Sequence, residues 1–407
     1  MSRGVVVTGL GVVARGALGL DAFEALLMGG GPGPDAPPQF DTRGFRARRA
    51  FAADPCATEG ALRQAAQTGR IADLTQAQID CAGHGLLAAL EAIGMAGLSQ
   101  MPARMGCAVA TTSGGLMDDY SDALMAGQGE RVAPDLVTPA SAAKVLAEVF
   151  ALSGPVCGFS CACVSSLGAM SYALSRVRSG DADVMLVGGS DRMREADFAG
   201  FNALRAMDRD SCRPFDRTRK GMVIGDGAAM LVIEAEEHAR ARGATPIVRL
   251  SGMGLSSDSH HITSPDASGL TRAMQQALAQ AGRQAEEIGY VNCHGTGTPL
   301  NDAAEAEALG RVFGPEAGDL IISSTKGSTG HLLGSAGAIE IVATILALRS
   351  GSAPPMLTTQ DPEAIPFSLP LAGTDRRLSS GVAMKNSLGF GGLNGSLILE
   401  RPDIGEM

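Results

Sequence analysis

The stretch Gly154-Pro-Val-Cys-Gly-Phe-Ser-Cys-Ala-Cys163-Val-Ser-Ser-Leu-Gly168 leads from a short apolar segment, through small residues, into the helical segment Val164–Arg178. It puts a cysteine where a strand or loop turns into a helix. A helix start offers unpaired N–H groups and about half a positive charge. Both favour thiolate, the nucleophilic form of cysteine, and small neighbours leave room for an acyl group. Cys157, Cys161 and Cys163 all lie here, and local reading does not choose among them.

Outward from this junction, short apolar β-branched runs alternate with Ala-rich helical ones. The expected strands are Gly4–Thr8, Gly106–Ala110, Val184–Gly188, Ala229–Glu234, Pro246–Ser251, Tyr290–Asn292, Leu320–Ser323, Gly381–Lys385 and Ser396–Glu400. Several are apolar throughout, as strands covered on both faces are. The expected helices are Asp21–Met28, Ala77–Ile93, Val164–Arg178, Thr271–Ala281, Asp302–Phe313 and Leu332–Arg349. The pattern predicts a layered α/β fold. It also contains an echo. Cys163 opens a helix ending in Arg178-Ser179-Gly180, and His331 precedes one ending in Arg349-Ser350-Gly351. Two related halves, 1–245 and 246–407, would each present a reactive residue at a helix start.

Of the 407 residues, 45% are hydrophobic and 19% charged, which excludes a disordered chain. The net charge of −10 argues against broad contact with nucleic acid or anionic lipid. The 54 glycines have no Gly-X-Y period and mark close backbone approaches. No 18 apolar residues run together without charge, so no membrane span is expected. Met1-Ser2-Arg3 leads straight into Val5-Val6-Val7 without a signal-peptide pattern, and the expected location is cytoplasmic. The eight cysteines then read as free thiols.

Two of the six histidines stand among glycines: Val291-Asn-Cys-His294-Gly-Thr-Gly-Thr-Pro299, and Ser324-Thr-Lys326-Gly-Ser-Thr-Gly-His331-Leu-Leu-Gly-Ser-Ala-Gly337. Imidazole suits proton transfer, or N–H donation to a developing oxyanion. Gly9-Leu-Gly-Val-Val-Ala14 formally fits a dinucleotide fingerprint. The acidic residue needed about 20 positions later would fall near Gly29-Gly-Gly-Pro-Gly-Pro34, which forms no second strand. No second pair of ligands accompanies the three cysteines at zinc-finger spacing, so no metal is expected.

With these motifs in order, the chain resembles the β-ketoacyl-[acyl carrier protein] synthases, and more closely their elongating Cys-His-His branch. The likeness runs from Val5-Val-Val-Thr-Gly-Leu-Gly-Val-Val13 through Arg213-Pro-Phe-Asp216 and Gly225-Asp-Gly227 to Asn386-Ser-Leu-Gly-Phe-Gly-Gly-Leu-Asn-Gly395. It implies a thiolase-like fold of two similar halves in α-β-α-β-α layers. It makes Cys163 the acyl-accepting nucleophile, and His294 and His331 the pair that handles the malonyl unit. Lys326 matches the family lysine and Glu340 its carboxylate partner. Thr296 and Thr298 match the threonines that bond the phosphopantetheine arm, Phe390 a gate whose N–H joins that of Cys163 in an oxyanion hole, and Asp226 and Asp302 structural acids. Ser113, in Thr111–Met117, falls in a stretch lining the acyl cavity. Cys161 and Val164 depart from the residues usual beside the nucleophile, and the stretch between Arg205 and Arg213 is shorter than in many relatives. No bound cofactor is implied, since substrates ride on acyl carrier protein. The partners implied are that carrier and a second synthase subunit, as a homodimer or as a heterodimer with a paralogue lacking the cysteine. A chain-length-factor-like role without catalysis is the alternative, and the retained Cys163 speaks against it. A basic patch is expected around the tunnel mouth; Arg46, Arg48, Arg49 and Arg63 form one basic cluster in sequence and Arg205, Arg209 and Arg213 another, and each also reads as a solvated face.

Overall fold

The computed structural model describes residues 3–115, 125, 136–315, 317 and 319–402. Strand β1 (Val5–Ala14) runs well past the expected Gly4–Thr8, and its glycines explain why. A Cβ on Gly9 would sit 2.0 Å from the Ala92 carbonyl oxygen, and one on Gly11 1.9 Å from that of Ala88. The strand lies directly on helix α1 (Gln76–Met95), which Thr75 and Gln78 cap reciprocally. Gly9-Leu-Gly-Val-Val-Ala14 is therefore a packed strand, not a phosphate-binding turn.

The remaining main strands are β2 (Met105–Ala110), β3 (Val156–Phe159), β4 (Val184–Asp191), β5 (Gly227–Ala235), β6 (Val248–Ser257), β7 (Tyr290–Asn292), β8 (Ile321–Ser323), β9 (Val382–Gly389) and β10 (Leu393–Glu400). They pair in the order β3-β2-β4-β5-β1-β6-β10-β9-β7-β8. In the first five, β3, β2 and β4 are parallel, and β5 and β1 each reverse direction. In the second five, β8, β7 and β9 are parallel, and β10 and β6 each reverse. Order and direction thus repeat when every strand number is raised by five. The two sets join where Val6 and Val7 of β1 pair with Arg249 and Val248 of β6. The glycine device repeats too. Cβ atoms on Gly252 and Gly254 of β6 would sit 2.1 and 2.0 Å from the carbonyl oxygens of Ala277 and Ala273, in helix α4 (Ala267–Ala281).

Three apolar clusters define the layers. One lies between the first strand set and α1 with α2 (Ser141–Val149). A central one joins both strand sets to α3 (Ser165–Ser179) and α6 (Ala336–Ser350). The third lies under α4 and α5 (Pro299–Phe313). This is an α-β-α-β-α stack. Both central helices end at the echoed glycines, Gly180 and Gly351, in the left-handed conformation that glycine adopts without penalty. The stretch Leu333–Ser350 is long and apolar enough to cross a membrane, with a mean hydropathy of 1.4, yet 89% of it is buried inside the protein. It is a core helix, apolar on nearly every side because it is buried all round, with Glu340 as its one buried charge. Sequence patterning missed the helices Pro55–Gln67, α2 and Glu195–Ala203, and the edge strand β3. All eight cysteines are free thiols.

Candidate active site

The turn after β3 sets the first reactive group. Ala162 takes a positive φ of 50°, unusual for a residue with a side chain. The Ser165 hydroxyl accepts the Cys161 N–H at 2.7 Å and donates to the Ala162 carbonyl at 2.6 Å. Cys163 leaves this turn just ahead of α3, buried but lining a cavity of about 420 Å³. Cys157 and Cys161 do not line it. Geometry thus makes the choice that local sequence could not.

The second half brings the histidines to the same place. His294 follows β7 and His331 follows a one-turn helix, Lys326–Thr329, after β8. The Cys163 sulfur and one nitrogen of each imidazole all lie within 4.8 Å of one another. The two rings meet edge to face, with centroids 5.1 Å apart. Glu305 of α5 accepts the backbone N–H groups of His294 at 2.8 Å and Gly295 at 2.7 Å, holding the glycine-rich loop. Glu305 lies within the expected helix Asp302–Phe313, and nothing in its sequence context marks it for this role.

Hydrogen bonds assign each imidazole its tautomer. The Leu333 N–H donates to His331 Nδ1 at 3.2 Å, and the Lys326 ammonium faces His294 Nδ1 at 3.3 Å. Both rings therefore carry their proton on Nε2. Burial holds both well below the ordinary histidine range, and the Lys326 and Lys385 cations push the same way. The result is two neutral N–H donors. Lys326 also bonds the His294 carbonyl and pairs with Glu340. Cys163 departs from the expected thiolate: burial pushes its thiol up to about 12, against the pull of Lys326 and of the Phe390 N–H that reaches its sulfur.

Thr296 and Thr298 line the cavity wall, with hydroxyls 2.8 Å apart. Phe390 lines it too, its ring 6.0 Å from that of Phe201. Asp226 accepts the N–H groups of Ala53 and Met193, each at 2.6 Å, and Asp302 those of Phe215 at 2.9 Å and Gly297 at 3.2 Å. Both acids tie loops together. Ser113 is not brought to the cavity; its hydroxyl bonds Asp197 at 2.6 Å. Leu116 and Met117 of the same stretch lie outside the described residues. Arg205 and Lys220 line the cavity with exposed side chains, beside exposed Leu204, Ile262 and Leu300. The Cys163, His294 and His331 atoms are close enough to ligate a metal. The Lys326 ammonium on His294 opposes a divalent ion there by like charge.

Fold and site together define a thiolase-like condensing enzyme with a Cys-His-His centre. Residues 2–239 match the beta-ketoacyl synthase N-terminal domain and residues 247–360 the beta-ketoacyl synthase C-terminal domain. The chain belongs to the beta-ketoacyl synthase family. It is 35% identical to 3-oxoacyl-[acyl-carrier-protein] synthase 2 of Vibrio cholerae, over 98% of this chain and 99% of the relative. It is 36% identical to a putative polyketide beta-ketoacyl synthase 1 of Streptomyces halstedii, over 99% of both chains. Among solved structures, the ishigamide ketosynthase/chain length factor matches with a TM-score of 0.88 at 29% identity, covering 99% of this chain and 100% of that one.

Proposed function

We propose that this chain elongates a fatty-acid, polyene or polyketide chain by decarboxylative Claisen condensation. The convergence of the Cys163 sulfur and one nitrogen of each imidazole within 4.8 Å, at a cavity that all three residues line, carries that reading. In the first half-reaction the Cys163 sulfur attacks the acyl thioester of a carrier protein. The bond to the pantetheine sulfur breaks, and that sulfur leaves with the thiol proton. In the second, malonyl-carrier protein loses CO₂, and the electron pair of the broken C–C bond becomes an enolate. His294 and His331 donate Nε2–H to its oxygen. The enolate carbon then attacks the Cys163 thioester, whose oxyanion meets the N–H groups of Cys163 and Phe390; the Cys163 sulfur departs as thiolate and takes a proton from water, restoring the thiol. Thr296 and Thr298 bond the pantetheine arm, and Glu340 steadies Lys326.

The halves 1–245 and 246–407 then divide the labour, one bearing the nucleophile and the other the decarboxylating pair. We place the enzyme in the cytoplasm, as a dimer with itself or a synthase-like partner, using acyl carrier protein as its substrate carrier and no bound cofactor. Arg205 and Lys220 at the cavity supply charge for an acidic carrier despite the overall −10. Carrier-dependent turnover should weaken as salt rises from about 50 to about 300 mM; affinity unchanged over that range, with the assembly intact, rejects electrostatic docking. Intact-mass measurement after incubation with acyl-carrier-protein thioesters tests the main assignment. The native protein should gain one acyl group and Cys163→Ala none, and acylation retained in that variant would sink it.

A further inference from the structure

One buried cation beside the centre has no part in this account. Lys385 lies in β9, paired with β7 on one side and β10 on the other, and is fully buried. Its Nζ sits 2.8 Å from Glu340 Oε2, while Lys326 takes Glu340 Oε1. It also donates to the Asn386 carbonyl and lies 3.4 Å from Ser387 Oγ. One carboxylate thus bridges two ammonium groups, and the second of these is not needed to neutralise it. Burying an extra charge is costly, and an apolar side chain of similar volume usually serves stability as well or better.

We propose that Lys385 is a positioning residue for decarboxylation: it clamps Glu340 from the side away from Lys326 and so sets Lys326 against His294. The chain of contacts is Lys385–Glu340–Lys326–His294, with 2.8 Å at its first link and 3.3 Å at its last. Without Lys385 both Glu340 oxygens are free to turn to Lys326, drawing that ammonium off the His294 nitrogen. The inference rests on the condensing-enzyme reading above.

Charge gives the arrangement a second consequence. Lys385 is faced by Glu340 from α6, by Lys326 from the turn after β8, and by Glu305 from α5. His294 feels Lys326, His331 and Lys385, and His331 feels Lys326 and Lys385. Removing Lys385 removes a cation that keeps both rings neutral. The acid limb of decarboxylation should then move to higher pH.

The test uses the full chain, with malonyl-carrier protein for decarboxylation and an acyl-carrier-protein thioester for acylation. Lys385→Met should slow decarboxylation about 10-fold or more, since small misplacements in a site are amplified, and should shift its acid limb upward. Cys163 acylation should fall by clearly less than decarboxylation, because Lys326 and Glu340 act on the sulfur through charge and not by contact. The double variant with Glu340→Gln should be no slower than Glu340→Gln alone, since both changes break one chain of contacts. A native rate with an unmoved acid limb in Lys385→Met, or losses that multiply in the double variant, would overturn the proposal. If circular dichroism shows Lys385→Met unfolded, Lys385→Gln takes its place under the same readings. A native protein that neither acylates nor decarboxylates brings down the condensing-enzyme reading itself; an active native protein matched by Lys385→Met brings down only this one.

Discussion

The two halves of the molecule repeat a scaffold and diverge in charge. Each has the same strand order and directions, the same glycine pair pressed on a helix, and a central helix closed by a left-handed glycine. In the first half that helix is preceded by Ala162, Cys163 and Val164, and the reactive thiol is kept neutral by burial. In the second it carries Glu340 into a buried cluster with Lys326 and Lys385, under two imidazoles. One architecture therefore supports two electrostatic tasks. A covalent nucleophile needs access and a defined turn, whereas enolate stabilisation needs fixed donors with their charge already settled.

The largest expected effects separate these tasks. His294→Ala and His331→Ala should each lower malonyl-carrier-protein decarboxylation by about 10²–10³, as loss of one oxyanion donor does, and should affect Cys163 acylation far less. Decarboxylation at the native rate in both variants would erase the division between halves.

Next comes a difference in pH response. Burial raises Glu305 to about 7 from an ordinary 4.5. A carboxyl raised on folding stabilises the protein fully below its unfolded value, and that contribution is lost as pH rises through the folded value. The change is worth about 3 kcal/mol for Glu305. The unfolding temperature of the native protein, taken relative to that of Glu305→Gln, should therefore fall between about pH 4.5 and 7.5. Parallel curves would show that the His294 loop is not held by a titrating group.

The smallest effect tests the likeness rather than the difference. Gly11→Ala and Gly254→Ala each drive a methyl into a helix carbonyl, at 1.9 and 2.0 Å. Overpacking of this kind costs about 1–3 kcal/mol or more, and the two losses should be similar in denaturant titrations. A large loss at one position alone would mean that the repeat is topological and not energetic.

Much of this was legible in the chain. Cys163, His294, Lys326 and His331 stand in short glycine- and serine-rich motifs because sharp turns and close approaches need small residues near the reacting atoms. The Arg-Ser-Gly echo has a local cause as well, since a left-handed helix end favours glycine wherever it occurs. Strand limits were less legible. Gly9 and Gly11 break the apolar run of β1 for a reason that lies 77 residues or more away, in α1.

Sequence by itself determined the fold class, the family and the reactive residue types, because local patterning and motif order carry that information. Motif order singled out Cys163, but only the tertiary structure shows its sulfur beside both histidines, and only it shows that both rings are neutral with the proton on Nε2 and that the Ser113 hydroxyl bonds Asp197. It also placed Lys385 under Glu340, across 45 residues of chain. Burial and charge pairing depend on segments distant in the chain, and a protonation state follows from what surrounds a group, not from what precedes it.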